Sequence, residues 1–274
     1  MADDILLVDV SDDGIATLTM NRAGKRNAMS DQLLNAFDTF FSNPPAGVKA
    51  VVLTGTEGHF CSGLDLAEHE QRDAEGTMRH SRGWHAIMDK IQYGGLPVIS
   101  AMFGAVIGGG LELAPSTHVR IAEPSTIFQL PEGRRGIFVG GGASVRVGRI
   151  LGADRMIEMM LTGRDVTAEE AERSGLVSRA VPESELLEVC FDMAARIGRL
   201  PDSTMIATNI GAMRTVVCAS PKLIETYGTP ARPEDAAALP SVNFEFLSPA
   251  SSWPFRLAET GRVIDVDIFP RLSV

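Results

Sequence analysis

Cysteine, basic charge and long apolar runs are all in short supply in this 274-residue sequence, and each shortage removes a class of protein. Cys61, Cys190 and Cys218 are odd in number and show neither CxxC spacing nor a Cys/His ligand set, so no disulfide framework and no metal site is expected. Lys and Arg number 25 against 35 Asp and Glu, giving a formal charge of −10. Nucleic acid or an anionic membrane would need clustered cations, so neither is an expected partner. The opening MADDILLVDV carries acids where a secretory signal would carry positive charge, and its apolar run is too short to span a bilayer. A cytoplasmic protein is expected. Internal repeats and low-complexity tracts are also missing, while 45% hydrophobic content over this length is enough for a substantial core.

What is present reads as alternating strands and helices. Ile5 to Val10 and Ile15 to Met20 flank SDDG and predict a hairpin. Ser30 can cap a helix whose Leu33, Leu34, Phe37, Phe40 and Phe41 share one face and which should stop before Pro44 and Pro45. KAVVLTG reads as a buried strand closed by glycine. From His69 to His80 the polar, aperiodic sequence predicts a mobile loop or frayed helix over a site, with helical spacing returning at Trp84, Ile87, Met88 and Ile91. PVISAMFGAV predicts one more apolar strand running into Gly108, Gly109 and Gly110. Further on, HVRIAE, TIFQL and LVSRAV read as short strands. ADRMIEMMLTG reads as a helix closed by Gly163, TAEE as a capping box, and Leu186 to Ile197 as an apolar helical face. Beyond Leu200 the character changes, since eight of the 15 prolines fall there and exclude long helices. The expected division is a core domain over 1–200 and an atypical Pro-rich segment over 201–274, expected to be poorly ordered.

Three segments carry possible chemistry. In GHFCSGLDL, residues 58–66, an apolar strand end meets a glycine turn and then an acid. In VIGGGLELA, residues 106–114, three glycines let backbone approach a ligand, and the following helix offers unpaired amides; tight strand-on-helix packing would look the same. In LPEGRRGIFVGGG, Glu132 sits between Pro131 and Gly133, where an exposed loop carboxylate is the plain alternative. Glu112 falls in the first turn after the glycines, where its plain role is to complement the helix dipole. Taken singly, each Glu reads more readily as structural than as catalytic.

Taken together and in this order, NRAGKRNAM, FCSGLDL, GGGLEL and LPEGRRGIFVGGG resemble the crotonase superfamily, the enoyl-CoA hydratase/isomerase family, over roughly Ile5 to Val181. The resemblance implies an α/β fold, a ClpP-like spiral of repeated ββα units, here with a divergent C-terminal segment. It implies that the amides of Leu64 and Gly109 form an oxyanion hole for an acyl-CoA thioester, and that Glu112 and Glu132 hold a water between them. It further implies that Lys25, Arg26 and Ala28, with Ser62, Leu64, Asp65, Leu66 and Gly109, cradle the CoA. The thioester is then substrate and no cofactor is needed. The activity implied is hydration of a 2-enoyl-CoA, a step of the kind used in fatty acid β-oxidation, with Glu132 as proton donor to Cα and Glu112 as water-orienting base. A Δ3-Δ2 enoyl-CoA isomerase and a catalytically weak acyl-CoA-binding protein are the alternatives, and homotrimers or hexamers would be the family's habit.

The sequence also departs from that pattern. His118 stands where relatives commonly carry Asp and reads as a packed, satisfied side chain. Val139 replaces a common Pro, and Arg134 with Arg135 crowds Glu132; a guanidinium pointing inward would favour the ionised carboxylate. Cys61 with His59 two residues away makes a poor nucleophile pair, and Met156, Met159 and Met160 read as core. After about Thr208 nothing resembles the family, so a divergent arm, a disordered tail and a shifted reading frame all remain open.

Overall fold

The computed structural model describes residues 4–69, 73–198, 219–243, 252–256, 263–268 and 272–273. The chain clusters into two compact units, residues 1–204 and 205–274. The first begins with the expected hairpin, β1 (Leu6–Val10) antiparallel to β2 (Ile15–Met20), in register from Leu6 opposite Met20 to Val10 opposite Ala16. Helix α1 (Asp31–Ser42) follows, with the Ser30 hydroxyl accepting the Leu33 amide at 3.2 Å. It buries the five side chains its periodicity singled out. Strand β3 (Ala50–Gly55) is buried at every position, as a run without alternation requires.

After the short α2 (Leu66–His69) comes α3 (Ala74–Tyr93), capped by the Asp73 carboxylate on the Gly76 amide at 2.7 Å. The helix thus reaches well into the stretch expected as a mobile loop or frayed helix. Its first two turns bury no apolar side chain, so they leave no 3.6-residue pattern to read, and the cap is what starts the helix. One correction concerns PVISAMFGAV, which is not one strand but two. Gly104, at φ +56°, turns the chain so that β4 (Val98–Met102) and β5 (Ala105–Ile107) enter different sheets.

That turn generates the architecture. After β5 and helix α4 (Gly109–Leu113), β6 (Val119–Ala122) joins β4 and β7 (Ile127–Gln129) joins β5, both in parallel. Helices α5 (Ala143–Leu151) and α6 (Ala153–Thr162) follow, then β8 (Val166–Thr167), α7 (Ala168–Arg173), β9 (Arg179–Ala180) and α8 (Glu183–Gly198). The result is a six-stranded sheet of order β1-β2-β3-β4-β6-β9 and a three-stranded sheet of order β5-β7-β8, the expected spiral of strand–strand–helix units. Gly163 closes α6 in the left-handed conformation, and Thr167 caps α7 through the Glu170 amide. The Glu170 carboxylate, however, binds Arg164 at 2.8 Å.

The larger core cluster includes α1, α3 and the glycine-rich turns; the smaller lies where Leu186, Cys190 and Ala194 of α8 pack on Ile15, Val52, Ile99 and Ile121. The second unit contains α9 (Pro221–Tyr227) and short paired strands, β10 (Val242–Asn243) with β13 (Leu272–Ser273) and β11 (Ser252–Arg256) with β12 (Val263–Asp267). Of the stretch expected to diverge, 201–274, residues 201–218, 244–251, 257–262, 269–271 and 274 lie outside the described residues. Among the described residues no helix is long and apolar enough to cross a membrane.

Phe37 is fully buried in the larger core. Phe37→Ala is expected to cost about 3–5 kcal/mol in chemical denaturation, against about 1 kcal/mol for Ser30→Ala, which removes only the cap.

Candidate active site

Two turns meet backbone to backbone. The Cys61 amide donates to Ala105 at 2.9 Å and the Ile107 amide donates to Cys61 at 3.0 Å, which fastens the chain after β3 along β5. Just beyond, the Met29 amide donates to Gly63 at 2.7 Å and the Asp65 amide to Met29 at 3.0 Å. Because the neighbours of Leu64 both face Met29, the N–H of Leu64 itself faces the opposite way. The N–H of Gly109, at the first position of α4, has no acceptor within its helix. A methyl group added at Gly109 would lie 3.2 Å from the Leu64 nitrogen, and one at Gly63 would lie 3.1 Å from the Gly109 nitrogen. The two amides are therefore neighbours, and among the described residues neither donates to a backbone carbonyl. Such a pair offers two fixed dipoles to one oxygen.

Both acids reach the same place. Glu112 is 4% exposed, and its Oε1 accepts the amides of Gly141 at 2.8 Å and Ala143 at 3.1 Å. Burial raises its pKa, opposed by the Ala143, Gly141 and Gly142 amides and by Arg146. Glu132 follows β7 and is 6% exposed. Its Oε2 is buried without a hydrogen-bond partner among the described residues. Burial above all, reinforced by the charge of Glu112, pushes its pKa up to about 7 against the pull of its own backbone amide and the weaker pull of Arg135. Only one of the two crowding arginines thus bears on it: Arg134 packs its side chain against Gly163 at the end of α6.

A cavity of about 610 Å³ opens between them. Leu64, Gly109, Glu112 and Glu132 line it together with Ser62 and Leu66, and Met78, Trp84, Ile137 and Phe138 supply apolar walls. Lys25, Arg26, Ala28 and Asp65 do not line it. They form the adjoining turn, where Ser62 donates its amide to Arg26 and its hydroxyl to Lys25, both at 3.0 Å. Asp65 is engaged by Arg22 at 2.6 Å, and the hydrogen bond from that guanidinium holds its carboxyl below the usual range.

Sequence reasoning placed Trp84 in the core and missed its second role. Its ring lies against Gly109 and Gly141, so it wedges the amide pair and the Glu112 loop at once. The first turns of α3 wall the cavity, in keeping with the expectation of a loop or frayed helix over a site. Asn27 was passed over as loop, yet it is fully buried and its side chain bonds Thr56, His59 and the Arg22 amide. His118 is satisfied as expected: Nδ1 accepts the Val98 amide at 3.0 Å and Nε2 lies 3.0 Å from the Gln92 carbonyl. Burial pushes the Cys61 thiol up to about 12, and His59 Nδ1 instead accepts the Ala105 amide, so the two form no nucleophile pair.

Comparison with known proteins bears on the family and the fold. The profile of the Enoyl-CoA hydratase/isomerase family matches residues 11–220. A mevalonyl-coenzyme A hydratase of Aspergillus fumigatus is 34% identical over 221 residues, which is 78% of this chain and 82% of that one. A crystal structure from Rhodopseudomonas palustris, described as an enoyl-CoA hydratase, superposes with a TM-score of 0.68 at 44% identity, covering 71% of this chain and 75% of the other. The fatty acid oxidation complex subunit alpha of Idiomarina loihiensis is 33% identical over 212 residues, 74% of this chain but only 29% of that longer protein.

The raised pKa of Glu132 has a thermodynamic signature. Between its ordinary value of 4.5 and about 7 the unfolded chain releases this proton while the folded chain keeps it, so the stability it contributes is lost as pH rises through that window. Glu132→Gln removes the effect. Its unfolding free energy relative to the unaltered protein is expected to rise by up to about 3 kcal/mol from pH 4 to pH 8 in urea titrations.

Proposed function

The chain belongs to the enoyl-CoA hydratase/isomerase family, and from that premise we propose that it adds water across the 2,3 double bond of a 2-enoyl-CoA thioester. The observation carrying this reading is that two buried acids with unlike partners share one cavity with the paired amides of Leu64 and Gly109.

In the proposed reaction the thioester oxygen sits on the two amides. As a water oxygen bonds to Cβ, the double-bond electrons move through Cα toward the thioester oxygen and build enolate charge there. Fixed dipoles in a water-poor cavity meet that charge without reorganising, and one such donor is typically worth about 2.7–4 kcal/mol. Glu112 is the base. Its Oε1 is occupied by backbone amides that favour the ionised form, which leaves Oε2 to take the water proton. Glu132 is the acid. With one oxygen unsatisfied and a carboxylate nearby, it favours the neutral form and delivers its proton to Cα. Lys25, Arg26 and the backbone beside them would then receive the CoA moiety.

Crotonyl-CoA tests this directly, through loss of the conjugated enoyl-thioester absorbance. Glu112→Gln and Glu132→Gln are each expected to lower kcat by about a hundredfold or more. Near-normal turnover in either variant overturns the role given to that residue. The rate is expected to fall above about pH 7, as Glu132 loses the proton it must donate. Appearance of the same absorbance from 3-hexenoyl-CoA, without hydration of crotonyl-CoA, would establish isomerisation instead. Calorimetric binding of acyl-CoA without turnover would leave only a binding protein.

A further inference from the structure

Arg146, on α5, is 7% exposed, and arginine is seldom buried so deeply without partners. It has three. Nε donates to the Gln92 side chain at 2.8 Å, Nη2 to the Asp89 carboxylate, and Nη1 to the Gly141 carbonyl at 3.3 Å. The first two partners belong to the last turns of α3. The third belongs to the loop whose amides grip Glu112. Gln92 is itself fixed, since its main-chain oxygen meets His118 Nε2 while His118 Nδ1 holds the start of β4. On the other side the loop packs so closely that a methyl group at Gly142 would collide with Nη1.

We propose that Arg146 is a positioning residue for the reaction: by tying the Gly141 carbonyl to α3, it keeps the Gly141 and Ala143 amides on Oε1 of Glu112 and so leaves Oε2 to the water. The proposal rests on the acid–base reading of Glu112 and Glu132. A planar guanidinium suits the task because it serves partners in three fixed directions, whereas an ammonium on a flexible stem does not. Its charge acts in the same sense as its geometry, drawing Glu112 toward the ionised form. Charged or titratable groups that share the cavity with Glu112 are Glu132, Arg135, and His80 and Arg82 of α3, while His85 and Asp89 of α3 stand behind the guanidinium. Burial, and then Arg146 itself, lowers the pKa of His85, so His85 brings no compensating charge near neutral pH.

Arg146→Gln, Arg146→Lys and Asp89→Asn test the proposal, using the 2-enoyl-CoA that the unaltered protein turns over fastest. Arg146→Gln is expected to lower kcat about tenfold to a hundredfold, with KM changed less than about threefold. The acidic limb of the kcat–pH profile, set by Glu112, is expected to move to higher pH while the alkaline limb stays in place. Arg146→Lys should restore the limb but only part of kcat, and Asp89→Asn should lower kcat with the charge of Arg146 retained. Unchanged kcat and an unmoved limb in Arg146→Gln overturn the proposal. So does a loss of activity that follows a lowered melting temperature with the limb unmoved, the mark of a merely structural role. If Arg146→Gln does not fold, unaltered kcat in both other variants overturns it. Glu112→Gln separates the two levels: if it keeps its turnover, the acid–base reading fails, and if it alone loses turnover, only the role of Arg146 fails.

Discussion

Everything at the candidate site depends on two main-chain turns approaching with no side chain between them. The Cys61–Val106 bridge sets their separation, Met29 turns the Leu64 amide outward, and Gly63 and Gly109 leave the space empty. Trp84 closes the far side of the contact. None of these elements is chemically reactive. Their joint effect is a pocket of oriented dipoles, formed when the protein folds rather than when a substrate arrives.

Around that contact the fold manages a costly arrangement, two carboxyl groups in one water-poor cavity. Burial alone would push both toward the neutral form, and each would discourage ionisation of the other. Their surroundings separate them. Glu112 accepts amides at the start of α5, while Glu132 sits on a short turn with one oxygen unsatisfied. Equal surroundings would have produced two similar acids and left the proposed division of labour without a basis. The spiral of strands makes the difference possible by delivering one acid just after β5 and the other just after β7, on neighbouring strands of the small sheet.

Much of this was legible because local rules and tertiary needs coincide. In α1 the cap, the apolar face and the stop before proline all agree, and the helix appears where the pattern put it. The glycine turns and the two acids were legible through the order of their motifs. The break at Gly104 was not, because a glycine between two apolar runs is as compatible with one strand as with two sheets. The first turns of α3 were legible as a segment over a site but not as helix rather than loop, because their residues line a cavity instead of a core. Arg146 and Asn27 went unnoticed for another reason: a single charged or amide side chain carries no periodic signal, and its burial follows only from the meeting of distant segments.

In the proposed reaction Leu64 contributes its amide rather than its side chain, and position 64 then tolerates exchange of residue type but not of place in the chain. Along an extended segment, consecutive N–H groups point to opposite edges. Insertion or deletion of one residue between Cys61 and Leu64 would turn the wrong amide inward, even if every neighbouring side chain were restored. Drift by substitution is therefore cheap at Leu64, though not at Gly63, and drift in length is cheap at neither, so the spacing from Cys61 to Leu64 carries a constraint that the identity of Leu64 does not.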